Sequence, residues 1–142
     1  MSEEWKNASL VSNIGKWAWI IGILNGIIYI IWGLATLVPL ILVPFGILGI
    51  AYPVWMTLGG IIVILISFTI IKPKFSNKCE EKDWDALYNW VLNLGSFRLP
   101  WMLVWGILFE IFGNWWGGLP ILIPALILLF AGPKEYNWST KE

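Results

Sequence analysis

The chain has no histidine and only one cysteine. Without histidine there is no imidazole base, no His-held metal or haem, and no Ser-His-Asp triad. With one thiol there is neither an intrachain disulfide nor the ligand set of an iron–sulfur cluster. Charge is scarce too. Asp, Glu, Lys and Arg make up 13% of the residues, against roughly 25% in a soluble domain. The formal net charge is zero and there is no basic stripe, which excludes nucleic acid as a partner. These absences make the chain read as non-enzymatic, with no cofactor and no metal.

What is present is apolar. Hydrophobic residues make up 58% of the chain, and the mean hydropathy is +0.75. From Trp17 to Ile71 there is no charged residue, and from Leu99 to Pro133 the only one is Glu110. A bilayer-spanning helix needs about 20 apolar residues. The pattern predicts an all-α membrane protein. Four transmembrane helices form two tandem helical hairpins, with a short interfacial amphipathic helix between them.

The expected organisation is a cytoplasmic segment 1–16, a first hairpin 17–71, a cytoplasmic connector 72–98, a second hairpin 99–133 and a cytoplasmic tail 134–142. In the first hairpin, spans near 17–38 and 54–71 flank an apolar outer loop, 39–53, which carries Pro39, Pro44, Gly46, Gly49 and Pro53. Those residues interrupt helices. Lipid leaves irregular backbone unsatisfied, so the loop should dip against protein. A fifth span over 36–51 is the competing reading. It leaves too few residues for its turns and splits the basic residues between the two faces. In the second hairpin, spans near 99–115 and 119–132 are short for two crossings. A hairpin that enters only part way is the fallback.

All nine Lys and Arg residues flank the spans: Lys6 and Lys16, then Lys72, Lys74, Lys78, Lys82 and Arg98, then Lys134 and Lys141. With four spans they share one face, which the positive-inside rule makes cytoplasmic. The expected location is the plasma membrane of a prokaryote, with both termini cytoplasmic. The N-terminal tract is too long for a secretory signal. The N-x-[ST] matches at Asn7 and Asn137 fall on the wrong side for glycosylation. Cys79 reads as a plain thiol, with palmitoylation as the alternative. Most of the twelve Trp residues fall at expected span ends, where indoles favour the headgroup level.

In the connector, Trp84, Leu87, Tyr88, Val91 and Leu94 recur with helical spacing. Asp83 is placed to cap the start and Gly95 to end it, which predicts an interfacial helix over about 84–95. An offset of 84 residues superposes Trp17, Gly22-Ile23-Leu24, Ile27 and Trp32-Gly33 on Trp101, Gly106-Ile107-Leu108, Ile111 and Trp116-Gly117. This is a parallel two-helix repeat. Small residues let membrane helices approach closely, so Gly22, Gly26 and Gly33 of span one are expected to meet Gly106, Gly113 and Gly117 of span three.

Glu110 is the one acid inside a span. Charged, it would cost a few kcal/mol at that depth, so it should be protonated, paired or facing a wet cavity. Asn114, Asn25 and Tyr29 are its expected neighbours. The bland role is interhelical hydrogen-bond glue. The functional one is a proton or cation site. The function read from the sequence is a small non-catalytic integral membrane protein, self-associating or an accessory subunit of a larger membrane complex. Its partners are then membrane lipids, further copies of itself or other membrane subunits. The alternative is an oligomeric ion, proton or small-solute channel or transporter that uses Glu110.

Overall fold

In the computed structural model of the chain, residues 5–140 are described. Two helical rods dominate. α1 (Ala8–Gly15) leads almost directly into α2 (Ala18–Leu42). α3 (Ala51–Ile66) continues through a π-helical segment, Ser67–Ser76, into α4 (Asn77–Glu80). The rods Ala8–Leu42 and Ala51–Glu80 are 35 and 30 residues long, and both are apolar enough to cross a membrane. At 1.5 Å per residue each is longer than the ~30 Å hydrocarbon core.

The second hairpin is different. α6 (Trp101–Phe112) and α7 (Leu119–Ala131) have 12 and 13 residues, or about 18 to 20 Å each. Among the described residues, two helices rather than four have the length to span. Gly113 leaves the helical conformation, and residues 113–118 make the turn well before a bilayer's worth of helix has formed.

The outer loop is shorter than 39–53. α2 passes through Pro39 and ends only at Leu42, and α3 starts at Ala51. Pro39 removes one donor near the helix end, where few bonds remain to lose. Pro53 lies in the first turn of α3, where its missing N–H had no helical partner. The reversal is made over residues 43–50. It uses Phe45 in the left-handed region (φ 62) and one 3₁₀ turn, Gly46–Gly49. No helix covers 36–51 as a fifth span would require.

The two rods pack antiparallel on a stripe of glycines. A Cβ on Gly15 would strike Cys79, one on Gly22 would strike Ser67, and one on Gly33 would strike Thr57. Between them Gly26 and Gly60 are reciprocal. A Cβ on Gly26 would lie 2.6 Å from the Gly60 carbonyl oxygen, and one on Gly60 would lie 2.5 Å from the Gly26 carbonyl oxygen. The stripe of Gly22, Gly26 and Gly33 is therefore used mainly by the rod that follows it, while the contact with span three that the repeat predicts is made only in part, by Phe109 on Gly22 and by Gly113 and Gly117 on Asn25. Gly106 instead admits Leu122 of α7. The spacing marks a close-packing face but does not say which helix occupies it.

The connector is also only partly helical. Asp83 caps α5 (Trp84–Asn89) by accepting from the Ala86 amide at 3.2 Å. The single helix predicted over 84–95 stops at Asn89. β1 (Val91–Leu94) then pairs antiparallel with β2 (Phe97–Pro100), Leu94 opposite Phe97. Gly95, at φ 62, takes the first of the two turn positions, the place a type II′ hairpin keeps for glycine. The fold is thus mostly helical, with one small hairpin.

Buried side chains gather at the end of the molecule that carries the basic residues. Val11, Ile71, Phe75, Leu87, Met102 and Leu128 are fully enclosed there. α7 is held at its C-terminal end by side chains from elsewhere. The Trp5 indole donates to the Ala131 carbonyl at 3.0 Å, and the Tyr88 hydroxyl donates to the Leu128 carbonyl. These bonds satisfy carbonyls that a helix end leaves without partners. At the other end of the rods, Ile31, Val38, Ile41, Phe45 and Leu48 are exposed.

Candidate functional site

Asn25 is the middle residue of the Ala8–Leu42 rod and is fully buried. A primary amide in that position needs partners, since an unsatisfied one costs about 1–3 kcal/mol. It finds both on the backbone of one residue. Its Oδ1 accepts from the Asn114 amide at 3.2 Å, and its Nδ2 donates to the Asn114 carbonyl at 3.3 Å. The α6–α7 turn is therefore fastened to the middle of the Ala8–Leu42 rod.

Three glycines allow the turn to sit there. A Cβ on Gly113 would lie 2.5 Å from the Asn25 Oδ1, and one on Gly117 would lie 2.5 Å from its Cγ. On the α3 side, Gly59 admits the Phe112 carbonyl. The turn also bonds to itself. Gly117 donates to the Asn114 carbonyl at 2.9 Å, and Trp115 donates to the Asn114 side chain at 3.0 Å.

Glu110 lies one turn back along α6, half-buried beside Gly118. A Cβ on Gly118 would lie 2.6 Å from its Oε1. That oxygen is buried, with the Gly118 backbone as its polar neighbour, and makes no hydrogen bond of ordinary geometry among the described residues. Gly117 and Gly118 thus separate two polar groups, Asn25 on one side and Glu110 on the other. Of the four polar residues singled out from the sequence, hydrogen bonds join Asn25 to Asn114. Tyr29 instead has the Tyr52 hydroxyl as its polar neighbour. Ser67, which the sequence did not single out, is a second buried polar group without a partner among the described residues, opposite Gly22.

Among the described residues, no three His, Cys, Asp or Glu side chains come together as metal ligands. Cys79 is fully buried against Gly15. Near the charged end, a groove of about 230 Å³ runs between the π-helical segment and α6. It is lined by Thr69, Ile70, Lys74, Trp90, Trp101 and Trp105. Its lining comes from three separate stretches of chain, so no local motif announces it. No known protein family, curated protein or solved structure matches the chain.

Proposed function

We propose that the chain is a small, non-catalytic integral membrane protein that self-associates or serves as an accessory subunit of a larger membrane complex. In this reading the two long rods span the bilayer and α6–α7 is a re-entrant hairpin. Both hairpins then return to the side they entered from. All nine basic residues stay on one face, which the positive-inside rule makes cytoplasmic.

One observation carries the proposal. The turn 113–118 is tied to the midpoint of the Ala8–Leu42 rod, and Glu110 lies beside it. Irregular backbone at that depth is tolerated only against protein or water, because lipid offers no hydrogen bonds. Trp115 in this turn is 68% exposed, so its own chain does not cover it. A second polypeptide surface would supply the cover. The exposed outer parts of α2 and α3 offer apolar area on which such a surface can pack.

Light scattering of the gently solubilised protein, corrected for detergent, tests this. The expected mass is a multiple of 16.2 kDa, or one copy together with a different chain. A single copy with nothing attached overturns the proposal. The Glu110 Oε1, which makes no hydrogen bond of ordinary geometry among the described residues, favours a second reading, in which water rather than protein covers the turn and an oligomer conducts ions or protons past the carboxyl. Flux into vesicles that disappears in Glu110→Gln, with assembly intact, would select that reading.

A further inference from the structure

The groove between the π-helical segment and α6 combines two chemistries. Its walls are flat and apolar. The Trp101 and Trp105 rings stack with centroids 5.9 Å apart, and Trp90 and Ile70 also line the groove. Lys74 adds a cation. A neighbouring recess of about 260 Å³ shares Lys74 and Trp90 and adds Lys78, Ala86 and Asn89. The π-helical register helps to build this edge. Its bonds join residues five apart, so Thr69 and Lys74 lie one above the other.

The lysines near the groove are not equivalent. Lys78 is held by Glu81 at 3.5 Å and by Asp83 at 3.8 Å. Lys72 is turned the other way, over the Trp19 ring at 4.4 Å and the Phe68 ring at 5.0 Å. Lys74 is exposed and has no ion-pair partner among the described residues. One uncompensated ammonium thus stands at the rim of an indole-walled slot, on the end of the molecule where the basic residues gather. Basic pockets between helices on the cytoplasmic side suit anionic headgroups, and tryptophan faces suit the adjoining glycerol and first methylenes.

We infer that this groove binds one anionic phospholipid of the cytoplasmic leaflet, its phosphate at Lys74 and one acyl chain along Ile70, Trp101 and Trp105. A zwitterionic lipid would bring its own cation toward Lys74 and is disfavoured. The inference rests on the bilayer placement proposed above. It does not depend on whether the chain self-associates.

The test is mass spectrometry of the intact protein released from detergent containing equimolar phosphatidylglycerol and phosphatidylcholine with identical chains. The expected result is one retained phosphatidylglycerol per chain, in clear preference to phosphatidylcholine. Lys74→Gln should reduce that preference about fivefold, the effect of one surface lysine. Lys6→Gln, a lysine outside the groove, should leave it unchanged. Equal retention of the two lipids overturns the inference, and so does a Lys74→Gln variant that behaves like the parent. Displacement of the lipid by millimolar glycerol phosphate also overturns it, because the groove would then recognise a free phosphate. A chain that stays dispersed without detergent overturns the membrane placement as well. That outcome is distinct from a lost lipid preference in a detergent-dependent protein.

Discussion

The Asn25 side chain grips both the amide and the carbonyl of Asn114, at 3.2 and 3.3 Å, and so sets how far the second hairpin reaches along the first. Replacing Asn25 with Leu keeps the volume similar, removes both bonds, and leaves the Asn114 amide without its acceptor. The expected loss of stability is about 1–3 kcal/mol, read from thermal unfolding in detergent. Amide exchange at residues 113–118 should rise while that of α3 stays slow. Unchanged exchange in the turn would show that it is held by something else.

Gly26 and Gly60 face each other with no room for a methyl group on either. Gly26→Val should force the two rods apart and cost at least the roughly 1–3 kcal/mol typical of overpacking. Gly106→Val should instead loosen α6 from α7, where Leu122 fills the space. A cysteine pair on the α2–α3 contact, tested for cross-linking efficiency, separates the two cases. Efficiency should drop in the first variant and hold in the second.

Tyr88 links the connector to α7 by donating its hydroxyl proton to the Leu128 carbonyl, with the Lys134 carbonyl as a more distant second acceptor. Burial pushes its hydroxyl above the usual 10.0, and burial likewise raises Tyr136, against which it stacks. A raised value means the folded state holds its proton more tightly than the unfolded state. The stabilisation is therefore complete below about pH 10 and is lost as pH rises through the folded value. Thermal midpoints should be flat across neutral pH and fall on the alkaline side. Tyr88→Phe should lower the midpoint at neutral pH and flatten the alkaline decline. A variant with an unaltered alkaline slope would assign the effect to Tyr136 or elsewhere.

Some of this was legible in the residues and some was not. The uncharged tract from Trp17 to Ile71 announces two long apolar helices, since nothing in it suits water. Asp83 announces the start of α5 by the same chemistry that caps helices elsewhere. The tract does not announce that the second rod runs on to Glu80. Lys72-Pro73-Lys74 looks like a stop, and the π register carries the helix through it. Val91 and Leu94 satisfy a helical spacing on paper, so the strands were hidden until Gly95 made a hairpin turn of what resembled a helix end. The glycine stripe was visible as a stripe. Its partner was not, because any smooth helix can fill a glycine face. The depth of the α6–α7 turn was hidden for a related reason. Asn25 and Asn114 could be placed together near Glu110, but neither residue shows that the side chain of one grips the backbone of the other and so fixes where the turn stops.

The unequal reach of the two hairpins gives the molecule a taper. On the proposed placement, four helices would displace lipid in the cytoplasmic leaflet and only two would do so in the opposite one. A flat bilayer then has to fill the missing cross-section with extra lipid or bend around it. Bending relieves the mismatch where the cytoplasmic leaflet is the convex side, so the chain should collect on membrane regions curved in that sense.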